Sequence, residues 1–196
     1  MYDKLNISEN DLFALSLFSK GFNKEYHVRE MQRIVGLGLG TIQSSLAALE
    51  KRTVLRSKRV GRNRMYYINK TELSRFYFVM AEAYKTTTIL SKNDMLREII
   101  EMIIPHISEI GLIFGSYAKG LQKEGSDLDI FVVGKYARDE IRKIEKQYNL
   151  DINVKSYPSG IFYKNIRKDI LITEVLNNHI VFKGIDKFVH AVFDYG

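Results

Sequence analysis

Two aspartates one residue apart, Asp127 and Asp129, stand at the head of an apolar run inside the stretch GLIFGSYAKGLQKEGSDLDIFVVG, residues 111–134. On a strand, residues i and i+2 point the same way, so both carboxylates meet one small volume while Leu128 faces the core. Like charges that close repel and raise each other's pKa unless a cation sits between them. A hard cation that takes carboxylate and phosphate oxygens together, Mg²⁺ or Mn²⁺, is the natural candidate. The preceding apolar segment ends in Gly115-Ser116 where a short helix begins, so backbone N–H groups and a hydroxyl converge where a phosphate is stabilised. Gly115 lets a triphosphate approach the backbone, which a Cβ would prevent.

The surrounding pattern supports this placement. From about residue 93 the chain reads helix (NDMLREIIEMIIPHI), strand (GLIFG), short helix (SYAKGL), strand (LDIFVVG), helix (ARDEIRKIEKQYN), strand (DINVKSY) and then helices. That alternation predicts an α/β domain over 93–196 with a small mixed sheet. Gly115-Ser116, ten residues, then Asp127-Leu128-Asp129 between apolar strand residues resembles the signature of the DNA polymerase beta-like nucleotidyltransferases, in their minimal, stand-alone form. The resemblance implies that Gly115 and Ser116 contact the phosphates of a nucleoside triphosphate and that Ser126 joins the nucleotide site, while Lys119, where relatives often carry a basic residue, either neutralises phosphate charge or is a solvated helix lysine. It further implies that Asp127 and Asp129 hold Mg²⁺ (or Mn²⁺) while a nucleotidyl group passes to a protein or RNA hydroxyl. The family's third acid lies on the next strand, where Asp151 and Asn153 share a face. Asn153 falls nearer that position, and an amide brings no charge and cannot act as a base. The site is therefore either completed by Asp151 or chemically impaired, in which case the domain only binds nucleotide.

Charge divides the chain in two. Residues 1–70 hold 13 Lys and Arg against 6 Asp and Glu, whereas the remaining 126 hold 17 of each. All the excess basicity is N-terminal, which predicts a first module that faces a polyanion. There, SENDLFALSLFSK opens a helix with Ser8 as N-cap. HVREMQRIVGLGLGTIQSSLAALEKR follows as two helices, with Val28, Met31, Ile34 and Val35 on one apolar stripe, Ile42, Leu46 and Leu49 on the other, and Gly36, Gly38 and Gly40 in the gap. GLGLGT misses the spacing of a dinucleotide-binding loop and follows a helix, so it reads as a turn. VLRSKRVGRNRMYYIN then alternates apolar and basic residues about a turn at Gly61–Asn63, and seven of the fourteen residues from Lys51 to Arg64 are basic.

Helix-turn-helix followed by a cationic hairpin resembles a winged helix over residues 1–70, and the fold class is accordingly α+β with two domains. The resemblance implies double-stranded DNA as partner, with Thr41, Gln43 and Ser44 reaching base edges and Arg56, Lys58, Arg59, Arg62 and Arg64 contacting phosphates. Residues 71–92 form a linker helix with Leu73, Phe76, Tyr77, Met80 and Tyr84 on one face, which serves either packing between modules or the seam of a homodimer. The absence of cysteine suits a reducing compartment, and with no signal-like or membrane-length apolar run the expected location is the cytoplasm, without a membrane partner. His27, His106, His179 and His190 are far apart in sequence and read as structural or surface residues.

Overall fold

The computed structural model describes residues 5–196, which divide by their internal contacts into two compact units with the boundary between Tyr84 and Lys85. Both are small mixtures of helix and sheet.

The first unit opens with helix α1 (Glu9–Phe18), started by a reciprocal capping box: Ser8 Oγ accepts from the Asp11 N–H and Asp11 Oδ2 from the Ser8 N–H. Strand β1 (Tyr26–His27), α2 (Val28–Val35), α3 (Leu39–Lys51), β2 (Leu55–Val60) and β3 (Asn63–Ile68) follow, and the strands form a sheet in the order β1-β3-β2. Gly36, at φ +73°, ends α2 in the left-handed conformation that a residue with a Cβ adopts at a cost. The turn is shorter than the glycine pattern predicts, because Gly40 lies inside α3 and only Gly36 to Gly38 connect the helices. Met31, Ile42, Leu46 and Leu49 are fully buried, whereas Ile34 is 52% exposed: eight residues of α2 present a narrower apolar stripe than the one predicted.

The two-residue β1 pairs antiparallel with β3, Tyr26 opposite Tyr66 and His27 opposite Met65. It is too short to show periodicity, and sequence reasoning did not anticipate it. Helix α4 (Glu72–Leu90) buries Ser74, Tyr77, Phe78 and Ala81, leaving Leu73 and Phe76 exposed. Of the predicted face only Tyr77 is buried; the buried side also takes in Phe78, which packs on Phe22 at a ring-centroid distance of 5.7 Å, and Ser74, whose Oγ donates to the Val54 carbonyl.

In the second unit, α5 (Asp94–Ile103) leads through a 3₁₀ turn to β4 (Ile110–Ile113), then α6 (Gly115–Lys119), β5 (Leu128–Val133), α7 (Arg138–Tyr148), β6 (Ile152–Tyr157), α8 (Ser159–Asn165), α9 (Ile170–Asn177), β7 (Ile180–Lys183) and α10 (Ile185–Tyr195). The strand order is β6-β5-β4-β7, with β5 and β6 parallel and β4 antiparallel to both its neighbours. The sheet is mixed, as the alternating pattern predicts, but β7 occupies a stretch read from sequence as helical.

Burial separates the two faces of β5. Leu128, Ile130, Val132 and Ile152 join Ile99, Ile103, Ile141 and Ile144 in one apolar layer under α5 and α7. Fully burying each such side chain contributes about 1.5–3 kcal/mol. On the opposite face Phe131 meets Phe114, Tyr157 and Phe162 at centroid distances of 6.5, 5.4 and 6.0 Å. Asp129 and Asn153 have the parity of Phe131, so the polar site lies on this second face, at the end of β5 where the aromatic cluster stops.

Candidate active site

The register of the parallel pair builds the site. Leu128 stands beside Ile152 and Asp129 beside Asn153, and the Leu128 N–H donates to the Asp151 carbonyl at 2.8 Å, pinning the start of one strand to the other. Asn153 Nδ2 donates to Asp127 Oδ2 at 3.0 Å. The three side chains thus meet on one face, and the group facing both aspartates from β6 is an amide.

Asp129 is held by a second approach. Gly115 has φ +68°, and a Cβ added to it would lie 2.1 Å from Asp129 Oδ2. Phe114 donates its N–H to the Asp129 carbonyl at 3.0 Å, so the turn from β4 into α6 is drawn flat against this carboxylate. Glycine is required here by the acid itself, a reason separate from the phosphate approach that the sequence motif implies. Partial burial raises the Asp129 pKa above the ordinary carboxylate value, with Asp127 and Glu174 adding to the rise and the Asn153 hydrogen bond and Lys155 opposing it.

The other predicted residues take different places. Ser116 follows Gly115 in α6, half-buried. Lys119 is exposed, with Nζ 3.5 Å from Glu174 Oε1. Ser126 closes a turn, its Oγ accepting the Lys123 N–H at 2.8 Å, and with Asp151 it lines an open cavity of about 460 Å³ beside Glu145 and Lys146. Asp151 is exposed in the link between α7 and β6. Among the described residues no three His, Asp or Glu side chains cluster as a metal-ligand set. The site therefore consists of two carboxylates and an amide, a donor set that suits Mg²⁺ bound jointly with phosphate oxygens and water, since that ion commonly takes only one or two protein carboxylates. Glu174 and Lys155, which tune Asp129, carry no sequence signal, because only the tertiary fold brings α9 and β6 to it.

The four histidines lie in separate parts of the chain. His27 Nδ1 accepts the Glu30 N–H as the N-cap of α2, buried His179 lies edge-on to Phe188, His190 Nε2 is 3.1 Å from Asp194 Oδ2, and His106 ends the 3₁₀ turn after α5.

In the first unit, α3 exposes Gln43 and Ser44 and half-buries Thr41. Arg56, Arg59 and Arg62 are exposed on the β2–β3 hairpin, and Arg59, Arg62 and Arg64 line an open hollow of about 420 Å³ with Ser57 and Lys58. Two of the predicted contacts are already engaged within the protein. Lys58 pairs with Glu25 at 2.6 Å, and Arg64 donates to Glu50 Oε2 at 2.6 Å and to Ser57 Oγ at 2.7 Å, while Ser57 donates to Glu50 Oε1. This triad fastens the hairpin to α3.

A family model described as "Nucleotidyltransferase domain" matches residues 94–181. MJ0435 of Methanocaldococcus jannaschii, provisionally named a protein adenylyltransferase, is 33% identical over 91 residues, which are 43% of this chain and 95% of that protein. The chain belongs to the nucleotidyltransferase domain family. The family match takes in β4, α6, β5 and β6 of this nucleotidyltransferase and therefore every residue of the site above, while the N-terminal unit lies outside it. Among solved structures, that of TrmBL2, titled an archaeal chromatin protein, aligns over 88% of this nucleotidyltransferase and 71% of its own chain at 11% identity. Its TM-score of 0.30 carries no argument.

Proposed function

We propose that this nucleotidyltransferase moves a nucleotidyl group from a nucleoside triphosphate, ATP in the first instance, to a hydroxyl of a protein. The observation that carries this reading is the convergence of Asp127, Asp129 and Asn153 beside the Gly115 turn; the name of the Methanocaldococcus relative supports the choice of adenylyl group and protein acceptor. Asp127 and Asp129 would hold Mg²⁺, which supplies positive charge to the phosphates and to the oxygens that enter and leave. Ser116 would donate its hydroxyl hydrogen to a phosphate oxygen, and Gly115 would let that phosphate approach the main chain. The acceptor oxygen attacks the α-phosphorus; a new O–P bond forms, the bond from that phosphorus to the α,β-bridging oxygen breaks, and pyrophosphate leaves. The Asn153 amide cannot take the hydroxyl proton, which would need another acceptor. Asp151, one pleat before Asn153, would fill that role.

The N-terminal unit, on this proposal, binds double-stranded DNA as a winged helix. Supporting it are the order of three helices and a hairpin, the concentrated positive charge, and the exposure of Gln43, Ser44, Arg56, Arg59 and Arg62.

A second reading is favoured by one observation: the residue paired with Asp129 is an asparagine, and no third acid joins the pair among the described residues. In that case the domain binds nucleotide without turnover and adjusts DNA affinity. Calorimetric titration of a non-hydrolysable ATP analogue, with and without Mg²⁺, followed by labelling of acceptor proteins with ATP carrying a labelled α-phosphate, tests both. Metal-dependent binding and labelling, each lost in Asp127→Asn/Asp129→Asn, are the results expected. Binding without labelling leaves the second reading standing, and neither binding nor labelling sinks both.

A further inference from the structure

We propose that the free edge of β6 receives the acceptor as an added strand: an extended peptide segment whose hydroxyl residue is flanked by acidic residues. This rests on the reading of the site as a nucleotidyltransferase acting on protein.

The edge is open in a definite pattern. Hydrogen bonds from Leu128 N–H to the Asp151 carbonyl and from Gly134 N–H to the Tyr157 carbonyl show that the odd-numbered β6 residues turn their main chain toward β5. In a parallel ladder the intervening residues, Ile152, Val154 and Ser156, then turn theirs outward. Among the described residues no strand pairs with β6 on that side, where it is the outermost strand of the sheet. The Ile152 N–H is covered by Glu145 Oε1 at 2.9 Å, which leaves Val154 and Ser156 offering N–H and C=O groups at strand spacing. Unpaired edges of this kind template a further strand.

A groove of about 320 Å³ follows this edge, lined by Ile152, Asn153 and Val154 together with Arg138 and Arg142 of α7. Three consecutive strand residues line it, so it runs along the edge and not over one face, where only alternate residues would show. Arg138 and Arg142 lie four apart on α7, on one side of the helix. Neither has a carboxylate partner among the described residues, and Glu145, the acid nearest to them in the groove, is committed to the Ile152 N–H.

Strand geometry then specifies the occupant. Side chains of an added strand alternate between the two faces of the sheet. One face carries Asp127, Asp129 and Asn153; the other is covered by α7, from which Arg138 and Arg142 line the groove. A hydroxyl delivered to the acids therefore places the residues immediately before and after it on the arginine side, where glutamate or aspartate is the complementary choice.

The test uses the full chain and fluorescent 11-residue peptides with a central Tyr, Ser or Thr in an otherwise Val/Thr background. In one set Glu stands at −1 and +1 from the centre, in the other at −2 and +2. Anisotropy should show the first set binding at least tenfold tighter than the second. Ser156→Pro removes one outward N–H without touching the ladder to β5, and Arg142→Glu reverses one charge. Each should weaken peptide binding at least tenfold while ATP-analogue binding stays unchanged. The inference is overturned if no peptide binds, if the two sets bind alike, if both variants bind as the parent does, or if an RNA 11-mer competes and its own binding survives Ser156→Pro. Failure of ATP-analogue binding would instead strike the nucleotidyltransferase reading, because peptide binding is read without nucleotide.

Discussion

The two units each crowd like charges together, at opposite sign and on opposite terms. On the β2–β3 hairpin, Arg56, Arg59 and Arg62 stand in solvent, where water screens their mutual repulsion. Beside β5, Asp129 is partly buried against Asp127, and its pKa is raised because water cannot fully solvate it there. Exposed cations are cheap to keep and act as a surface that a polyanion meets in many registers. A half-buried acid beside a second carboxylate destabilises the fold that contains it and suits one compact cation at one place. Charge crowding alone therefore says little; burial tells which kind of partner it fits.

The largest effect expected within this comparison is at Gly115. Gly115→Ala would force a residue with a Cβ into φ +68° and into the Asp129 carboxylate. A destabilisation of about 1–3 kcal/mol and a loss of nucleotidyl transfer of about 100-fold should follow, read by thermal unfolding and by α-phosphate labelling. Equal activity in the variant would show that the turn does not position the acid. Next is Arg59→Ala/Arg62→Ala, which should lower the slope of log affinity for duplex DNA against log salt by about 2 while leaving the melting temperature unchanged. Arg64→Ala sharpens the contrast, since this arginine braces Glu50 and Ser57. Its loss should cost stability, by about 0.5–1 kcal/mol given its exposure, where the loss of Arg62 costs none.

The smallest effect is also the most diagnostic of sign. Because the folded-state pKa of Asp129 lies above its ordinary value, its ionisation weakens the metal-free fold; the penalty is absent in acid and grows as pH rises through that raised value. Asp129→Asn should therefore raise the melting temperature modestly at pH 7 and leave it unchanged below about pH 4. A variant less stable at pH 7 would mean that the carboxylate is held by favourable contacts.

What could be read without coordinates was what rests on local pattern. The Asp127-Leu128-Asp129 alternation, the Gly115-Ser116 turn and the apolar stripe of α3 all follow from local chain pattern, and the structure contains them. Strands β1 and β7 escaped because two or four residues are too few to distinguish a strand from its surroundings, and both exist through partners distant in sequence. The burial of Ser74 on α4 was not legible, because it rests on the bond to the Val54 carbonyl, twenty positions away, while Leu73 and Phe76, apolar by type, stay exposed. Arg64 looked like its exposed neighbours, yet Glu50, fourteen positions away, engages it. Asn153 could be named as the third-position candidate, but that its amide bonds Asp127 is a fact of register alone.

The order β6-β5-β4-β7 has a consequence during synthesis. Strand β4 is buried at all four residues, yet its second neighbour, β7, is made about seventy residues later. Until residues 180–183 have left the ribosome, the strand that carries the Gly115 turn keeps one apolar edge unpaired, the state in which nascent chains associate wrongly. A chain stopped before Ile180 is then an aggregation hazard, and the Gly115 turn matures only when β7 has been delivered.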